Sequence, residues 1–295
     1  MTGKPFLNPY VAVFIGVVAV SFSSIFTKLA TAPPMVIAFY RLLFTVLMLL
    51  PLSLSRSGIS EFKSLNRIDL TKAFISGWFL ALHFTVWIAS LNYTSVASST
   101  VLVTMQPLFV VSLGFIFLKE KISPGSAIGA FIALIGSCLI GASDLRLGGV
   151  AFWGDLLAFS GAFFIAIYVL IGRDLRKSLS LFPYVFLVYG TASLFLLIIN
   201  LCIYKSLYTY LPGNWQYFLA LAIIPTIFGD TVFNWALRYV KAAVVSVSIL
   251  GEAVGATILG YFILGEVPHI LQVIGGLVII SGLCIFIFST KADTV

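Results

Sequence analysis

Long apolar runs follow one another along the whole chain, with only short polar stretches between them. Each run has about the 20 residues that an α-helix needs to cross the hydrocarbon core of a bilayer. No stretch between the runs is long enough to form a soluble domain. The pattern therefore predicts an all-α polytopic membrane protein with ten transmembrane helices, near residues 9–31, 34–55, 71–92, 96–118, 124–142, 152–172, 182–204, 215–237, 242–264 and 269–289.

Composition excludes the water-soluble classes of protein. The chain is 61% hydrophobic and 9% charged, with a mean hydropathy of +1.13, whereas a soluble domain carries roughly 25% charged residues. The net charge of +7 is spread over many loops rather than gathered on one face, so nucleic acid is not an expected partner. The partner that the composition does require is the lipid bilayer.

The basic residues also predict how the chain is oriented in the membrane. If ten helices cross in turn, 13 of the 17 Lys and Arg fall on the side that holds the N-terminus. Only Lys28, Arg146 and Lys205 fall on the other side, and Arg41 lies inside a helix. Cytoplasmic loops carry an excess of Lys and Arg. We therefore expect a multi-pass protein of the cell membrane with both termini in the cytoplasm.

The two halves of the sequence repeat each other at a fixed offset of 146 residues. The segment that starts at Trp87 resembles the one that starts at Asn234 when Tyr93 is placed on Tyr239, since 239 − 93 = 146. Without a gap, the same offset pairs Glu120 with Glu266, Gly114 with Gly260, Gly129 with Gly275, Gly136 with Gly282 and Cys138 with Cys284. Five helices per copy is an odd number, so the second copy enters the membrane from the opposite side. Residues 1–147 and 148–295 are thus expected to form two inverted repeats, which are typical of secondary transporters.

These segments resemble the drug/metabolite transporter superfamily, specifically its EamA type. That family closes the fourth helix of each repeat with leucine, glycine and glutamate, and this chain has FLKEKI at 117–122 and FILGEV at 262–267. Arg41 in FYRLLF and the segment 154–173 also fit the pattern, whereas Lys119 replaces the usual glycine. The resemblance implies export of small metabolites such as amino acids, with no bound cofactor, and it does not name the substrate.

Of the ten acidic residues, eight lie in loops or at helix ends where water is expected to reach them, Asp155 among them. Asp230 and Glu252 remain inside apolar runs, where an ionisable residue is costly and therefore a functional candidate. Glu252 lies about ten residues into the ninth run, roughly 15 Å along a helix. The offset pairs it with Gln106, so both repeats place a polar residue at one depth. Ser248, a turn earlier, belongs to a strip of small residues with Gly251 and Gly255 that either packs closely on another helix or borders the site.

Several ionisable residues inside the runs have more than one explanation. His83 and Asp230 fall at mirrored depths in the two repeats, and with Glu252 they form a candidate set of residues that carry a proton. Alternatively, His83 is a packing residue. Asp230 could instead form a structural contact with Arg238 or with a nearby helix end. Arg41 either meets a substrate carboxylate or Glu252, which would suit a zwitterion, or extends outward along its stem to water. Lys28 lies nearer the outer surface and is expected at the interface.

Aromatic residues with a polar atom complete the candidate site. Tyr168 and Trp87 either line a central cavity or belong to the interfacial belts that Trp and Tyr form. The chain shows no clustered histidines, metal-ligand spacing or phosphate-binding glycine loop, so an intramembrane enzyme is the less favoured class and no metal is expected. A passive facilitator, a channel or a non-transporting scaffold remains an alternative, and the oligomeric state stays open.

Overall fold

The structure, a computed structural model, describes residues 7–118, 123–147, 149–176, 178–203, 207–236, 239 and 242–292. Over these residues the regular structure is entirely helical. The α-helices are α1 Pro9–Leu29, α2 Pro34–Ser53, α3 Arg56–Ser64, α4 Arg67–Ser90, α5 Val96–Val103, α6 Gln106–Leu118, α7 Pro124–Leu147, α8 Gly149–Leu175, α9 Leu181–Ile203, α10 Leu211–Leu221, α11 Val232–Ala236, α12 Ala242–Leu259 and α13 Ile270–Ala292. Two π-helical segments, Ala222–Thr231 and Gly260–Leu264, and a short 3₁₀ turn, Tyr208–Tyr210, complete them.

The helices have the lengths and the surface of a membrane protein. Within the described residues, seven helical spans are long and apolar enough to cross a bilayer: Pro9–Leu29, Pro34–Ser53, Arg67–Ser90, Val96–Ile116, Gly149–Leu175, Leu181–Ile203 and Tyr208–Ala236. Shorter apolar stretches run over Pro124–Ile140, Ser248–Leu264 and Ile270–Phe286. Large apolar side chains such as Phe14, Phe131 and Phe262 are exposed on the outside of the bundle, where lipid rather than water would cover them. The prediction of an all-helical polytopic membrane protein is confirmed.

Two of the predicted continuous helices are interrupted near their middle. The run 96–118 divides into α5 and α6 at Thr104 and Met105, and Pro107 occupies the first turn of α6, where its missing N–H is tolerated. The run 215–237 passes through a π-helical segment that contains Pro225. There the hydroxyl groups of Thr226 and Thr231 each donate to a carbonyl five residues earlier. Sequence periodicity did not reveal either interruption.

A short helix on one end of the bundle was also missed by the sequence analysis. Helix α3 is polar as well as short, and the Ser55 side chain caps it by accepting from the N–H of Gly58. Glu61 on α3 accepts a hydrogen bond from the N–H of Ser180 at 2.8 Å, just before α9. Because its apolar positions are few, α3 lacks the signature of a spanning helix.

Glycines set the closest helix contacts. A Cβ placed on Gly136 would lie 2.7 Å from the carbonyl oxygen of Gly275, and one on Gly282 would lie 2.7 Å from that of Gly129. Helices α7 and α13 therefore meet backbone to backbone, in the manner of small-residue interfaces in membranes. The strip of small residues on α12 likewise packs on α1, since a Cβ on Gly251 would lie 2.9 Å from Val17.

Some predictions fall on residues outside the described ranges. They include residues 119–122, which end the family segment FLKEKI and contain Lys119 and Glu120. Arg238 also lies outside these ranges. The second family segment, FILGEV at 262–267, lies within the described residues. There the π-helical segment Gly260–Leu264 is followed by Gly265, whose φ of +69° is the left-handed conformation that glycine adopts easily. This turn directs Glu266 back over the bundle.

Candidate functional site

One cavity of about 900 Å³ gathers most of the residues predicted from the sequence. Its wall includes residues of α1, α2, α4, α6, α8, α9, α11, α12 and the π-helical segment Ala222–Thr231. Seven of the eight candidate residues line it: Arg41, His83, Trp87, Gln106, Tyr168, Asp230 and Glu252. The eighth, Ser248, lies one turn before Glu252 on α12 and is not among the lining residues.

Arg41 is a fixed part of the cavity wall. It is 2% exposed, so the expectation that it extends outward to water is wrong. Its Nε donates to the Thr226 hydroxyl at 2.8 Å, one terminal nitrogen donates to the Ser23 hydroxyl at 2.8 Å, and the other pairs with the Asp230 carboxylate at 3.3 Å. The guanidinium also lies 4.4 Å from the ring centre of Phe84. These contacts hold α1, α2 and the π-helical segment together.

Asp230 is paired with Arg41, a partner that the sequence analysis did not name, and the alternative partner Arg238 lies outside the described residues. The Asp230 side chain keeps 37% of its surface open toward the cavity, whereas that of Arg41 keeps 3%. Asp230 and Thr226 are four residues apart on the π-helical segment, so they lie on one face of it and reach the same cation. π-Helical turns of this kind are frequent at functional sites.

Glu252 and Gln106 contribute polar groups to the cavity wall. Within the described residues, neither side chain forms a hydrogen bond, and Glu252 has no ion pair within 4 Å. Arg41 and Asp230 are nevertheless close enough to act electrostatically on Glu252. Gln106 begins α6, where the interruption between α5 and α6 exposes the start of a helix to the cavity.

His83 and Trp87 form a flat wall on α4. The two rings are parallel, with an interplanar angle of 1° and centroids 6.2 Å apart. His83 Nδ1 lies 2.9 Å from the carbonyl oxygen of Gly161. A carbonyl oxygen only accepts, so Nδ1 carries a proton, and in the neutral ring Nε2 is left as an acceptor. The contact with Gly161 therefore explains Nδ1 of His83 as a packing contact, but it does not involve Nε2.

Tyrosines line the part of the cavity that leads to one end of the bundle. Tyr168 on α8 lies beside Tyr184 and Tyr189 of α9, and all three contribute to the wall. Beyond them the cavity reaches Arg173 and Arg176 at the end of α8. This is the end of the bundle that carries α3. The sequence analysis missed Tyr184 and Tyr189 because an apolar run with scattered tyrosines does not show which face is turned inward.

Polar contacts join segments at the opposite end of the bundle, and none of the residues that form them is on the cavity wall. Lys28 forms an ion pair with one carboxylate oxygen of Glu266, while the other oxygen accepts from the N–H of Val96 at 2.8 Å. Thr94 donates to Asp155 at 3.0 Å. Lys28 is therefore paired rather than simply interfacial, and Asp155 is 4% exposed rather than open to water.

Comparison with known proteins agrees with this architecture. The sequence model of the EamA-like transporter family matches residues 7–142 and again residues 152–288. An uncharacterized transporter of Archaeoglobus fulgidus is 25% identical over 93% of this chain and 94% of its own length. The uncharacterized transporter YdfC of Bacillus subtilis is 24% identical over 92% and 88%. The riboflavin transporter ImpX of Fusobacterium nucleatum is 24% identical over 80% and 84%.

A solved crystal structure shows the same fold. It superposes with a TM-score of 0.66 at 18% identity, covering 97% of this chain and 99% of the other. The family model accounts for nearly the whole sequence, in two adjoining matches. This chain belongs to the EamA-like transporter family, within the drug/metabolite transporter superfamily.

Proposed function

We propose that the protein is a secondary transporter that exports a small metabolite, such as an amino-acid-like compound, across the cell membrane by alternating access. The observation that carries this proposal is a cavity of about 900 Å³ that reaches one end of the bundle, while the paired residues at the other end, Lys28 and Glu266, lie outside its wall. We infer that this other end is closed. A cavity of this kind suits a metabolite-sized ligand. A transporter that works by alternating access is closed at one end at a time, whereas a pore is open at both ends.

The proposed architecture has ten crossings, arranged as inverted repeats 1–147 and 148–295. The seven long spans and the three shorter apolar helices would supply the crossings. The glycine contacts support a two-fold relation between the repeats. The offset of 146 pairs Gly129 with Gly275 and Gly136 with Gly282, and the observed contacts, Gly136 with Gly275 and Gly282 with Gly129, exchange under that pairing. Reciprocal contacts of this form are expected at a two-fold axis.

Orientation follows from the excess of basic residues. The cavity leads to the end that carries α3, Arg173 and Arg176, and the predicted topology places this end in the cytoplasm. In this conformation the protein would load substrate from the cytoplasm. Separation of Lys28 from Glu266, together with closure around α3, would then complete the step that releases substrate outside.

Glu252 is the residue that we propose for coupling transport to protons. It lines the cavity without a hydrogen-bond partner among the described residues, so its protonation depends on what occupies the cavity. A carboxylate that exchanges a proton for substrate would let a pH gradient drive export. Without such coupling the same cavity would support a passive facilitator.

The test is transport by the purified protein in liposomes. Counterflow of a labelled panel of amino acids and related metabolites would show exchange, and a pH gradient would show whether accumulation is driven. Glu252→Gln should lose the response of substrate accumulation to the gradient. Asp69→Asn, at the first turn of α4, removes a carboxylate away from the cavity and should behave as the native protein.

Equal responses to the gradient in native protein and Glu252→Gln would remove Glu252 from coupling while leaving transport in place. Equilibration without counterflow would favour the passive facilitator. Absence of movement of every panel member, in vesicles that contain folded protein, would argue against the proposed substrate range.

A further inference from the structure

The acidic groups in the inner part of the cavity outnumber the cations. Arg41 supplies one cation there and Asp230 and Glu252 supply two carboxyl groups, so Glu252 carries either a proton or a negative charge that Arg41, already paired with Asp230, does not balance. The guanidinium already donates to Ser23, Thr226 and Asp230, and the Asp230 carboxylate balances its charge, so Arg41 offers a ligand no uncompensated positive charge. The remaining carboxylate, Glu252, has no such partner among the described residues.

This arrangement changes which substrate charge the cavity favours. An anionic or zwitterionic ligand would compete with Asp230 for the charge of Arg41, and displacement of Asp230 would leave a largely buried carboxylate unpaired at considerable cost. A ligand with an ammonium group would instead add the missing opposite charge beside Glu252. Cation and carboxylate form a stronger hydrogen bond than two neutral groups.

We propose that Glu252 binds the ammonium group of a small organic amine, and that this ammonium and a proton occupy the carboxylate alternately. The inference rests on the proposed transport function and narrows its substrate class. When the amine binds, the protonated carboxyl of Glu252 releases its proton to water, and the resulting carboxylate pairs with the ammonium. No other group changes its charge in this step.

The rest of the wall suits such a ligand. Phe84 already stacks with the Arg41 cation at 4.4 Å, and Trp87 and Tyr168 provide further aromatic surface for the body of the amine. Gln106 and His83 Nε2 offer neutral polar groups. The other ionisable side chains that line the cavity with Glu252 are Arg41, His83, Tyr168, Arg173, Arg176, Tyr184, Tyr189 and Asp230. Arg173 and Arg176 lie at the mouth, near the end of α8, rather than beside Glu252.

The test compares ligands that share a body and differ in charge. Phenethylamine, phenylalanine and 3-phenylpropionate form an aromatic set, and hexylamine, norleucine and hexanoate form an aliphatic set. Binding to the purified full-length protein is measured by calorimetry, and proton release is measured with a pH-indicating dye in weakly buffered solution. Primary alkyl amines titrate like lysine, near ~10, so each amine probe stays charged around neutral pH.

We expect the amine of at least one set to bind more tightly than its zwitterion and its acid, with release of about one proton. Glu252→Gln should weaken amine binding by about 10- to 100-fold and abolish proton release. Glu252→Asp keeps the carboxylate and should retain part of both signals. Asp69→Asn should match the native protein, and circular dichroism with size-exclusion chromatography would verify that each variant is folded.

Three outcomes would overturn the inference: tighter binding of a zwitterion or acid, amine binding that Glu252→Gln leaves unchanged, or no binding of either amine. Each of these is compatible with transport of another compound in the liposome assay. Conversely, amine binding with proton release but without transport would support the site and contradict the proposed function. The two proposals therefore fail separately.

Discussion

The pairing of Arg41 with Asp230 predicts a strong coupling between the two residues in the stability of the fold. Arg41→Met keeps the apolar stem and removes the guanidinium, together with its bonds to Ser23, Thr226 and Asp230. Removing one partner of a fully buried ion pair costs about 3–5 kcal/mol. Asp230 keeps 37% of its side-chain surface open, so water relieves part of that cost. We expect a loss of about 2–3 kcal/mol.

The reverse substitution should cost less. Asp230→Asn leaves a guanidinium that still donates to the Ser23 and Thr226 hydroxyls and to the new amide oxygen. A loss of about 1–2 kcal/mol is expected, in the range for a hydrogen bond to a charged group. In the double variant neither charge remains unpaired, so its destabilisation should be about 1–2 kcal/mol smaller than the two single losses added together.

The assay is reversible unfolding in mixed micelles of dodecylmaltoside and sodium dodecyl sulfate, followed by tryptophan fluorescence and circular dichroism. Arg41→Lys is a useful fourth variant, because it keeps the charge and loses the planar fork that reaches three acceptors. If the double variant loses the sum of the single losses to within about 0.5 kcal/mol, the two residues are not coupled and the pairing is refuted.

Three further predictions concern the frame around the cavity. Gly282→Val should prevent stable folding because its side chain would meet the backbone of Gly129, whereas Gly190→Ala, which has open space, should fold normally in size-exclusion chromatography. Glu266→Gln should loosen the closed end, so a cysteine introduced at Ala97 in a cysteine-free background should react faster with a charged thiol reagent added outside; an unchanged rate would contradict the closure. Lys72→Met breaks an ion pair that is more exposed and should change the unfolding free energy by less than about 1 kcal/mol.

Much of the fold was predictable because the bilayer limits the possible structures. Backbone polar groups must be satisfied within each helix, and helix length must match the hydrocarbon thickness. The apolar runs therefore located the helices to within a few residues, as in α1 and α9. The interruption at Thr104 and the π-helical segment around Pro225 were not visible, since neither changes the hydropathy of its run. The short helix α3 was too polar to be recognised by the same rule.

The candidate residues were easier to locate than their contacts. Ionisable side chains inside apolar runs must avoid lipid, so they tend toward the bundle interior, and the structure places Arg41, Asp230 and Glu252 on one cavity. The sequence did not indicate that Arg41 meets Asp230, 189 positions away. That contact depends on how the segment Ala222–Thr231 packs against α2, and the hydroxyl of Ser23 in α1 adds to it. A pairing of this kind can be predicted only from three-dimensional positions, because spacing along the chain does not reveal it.

Two polar ties connect segments from different halves of the chain, and alternating access places opposite demands on them. Arg41 joins α1 and α2 to the π-helical segment beside the cavity, whereas Lys28 joins α1 to Glu266 at the closed end. When two halves rock about a site near the midplane, displacement is smallest beside the site and grows toward either end. If the halves rock as proposed, the contact of Arg41 beside the cavity can persist through the motion, while the pair of Lys28 and Glu266 separates. Arg41 would then hold the halves together beside the cavity, and Glu252 would be left to respond to substrate.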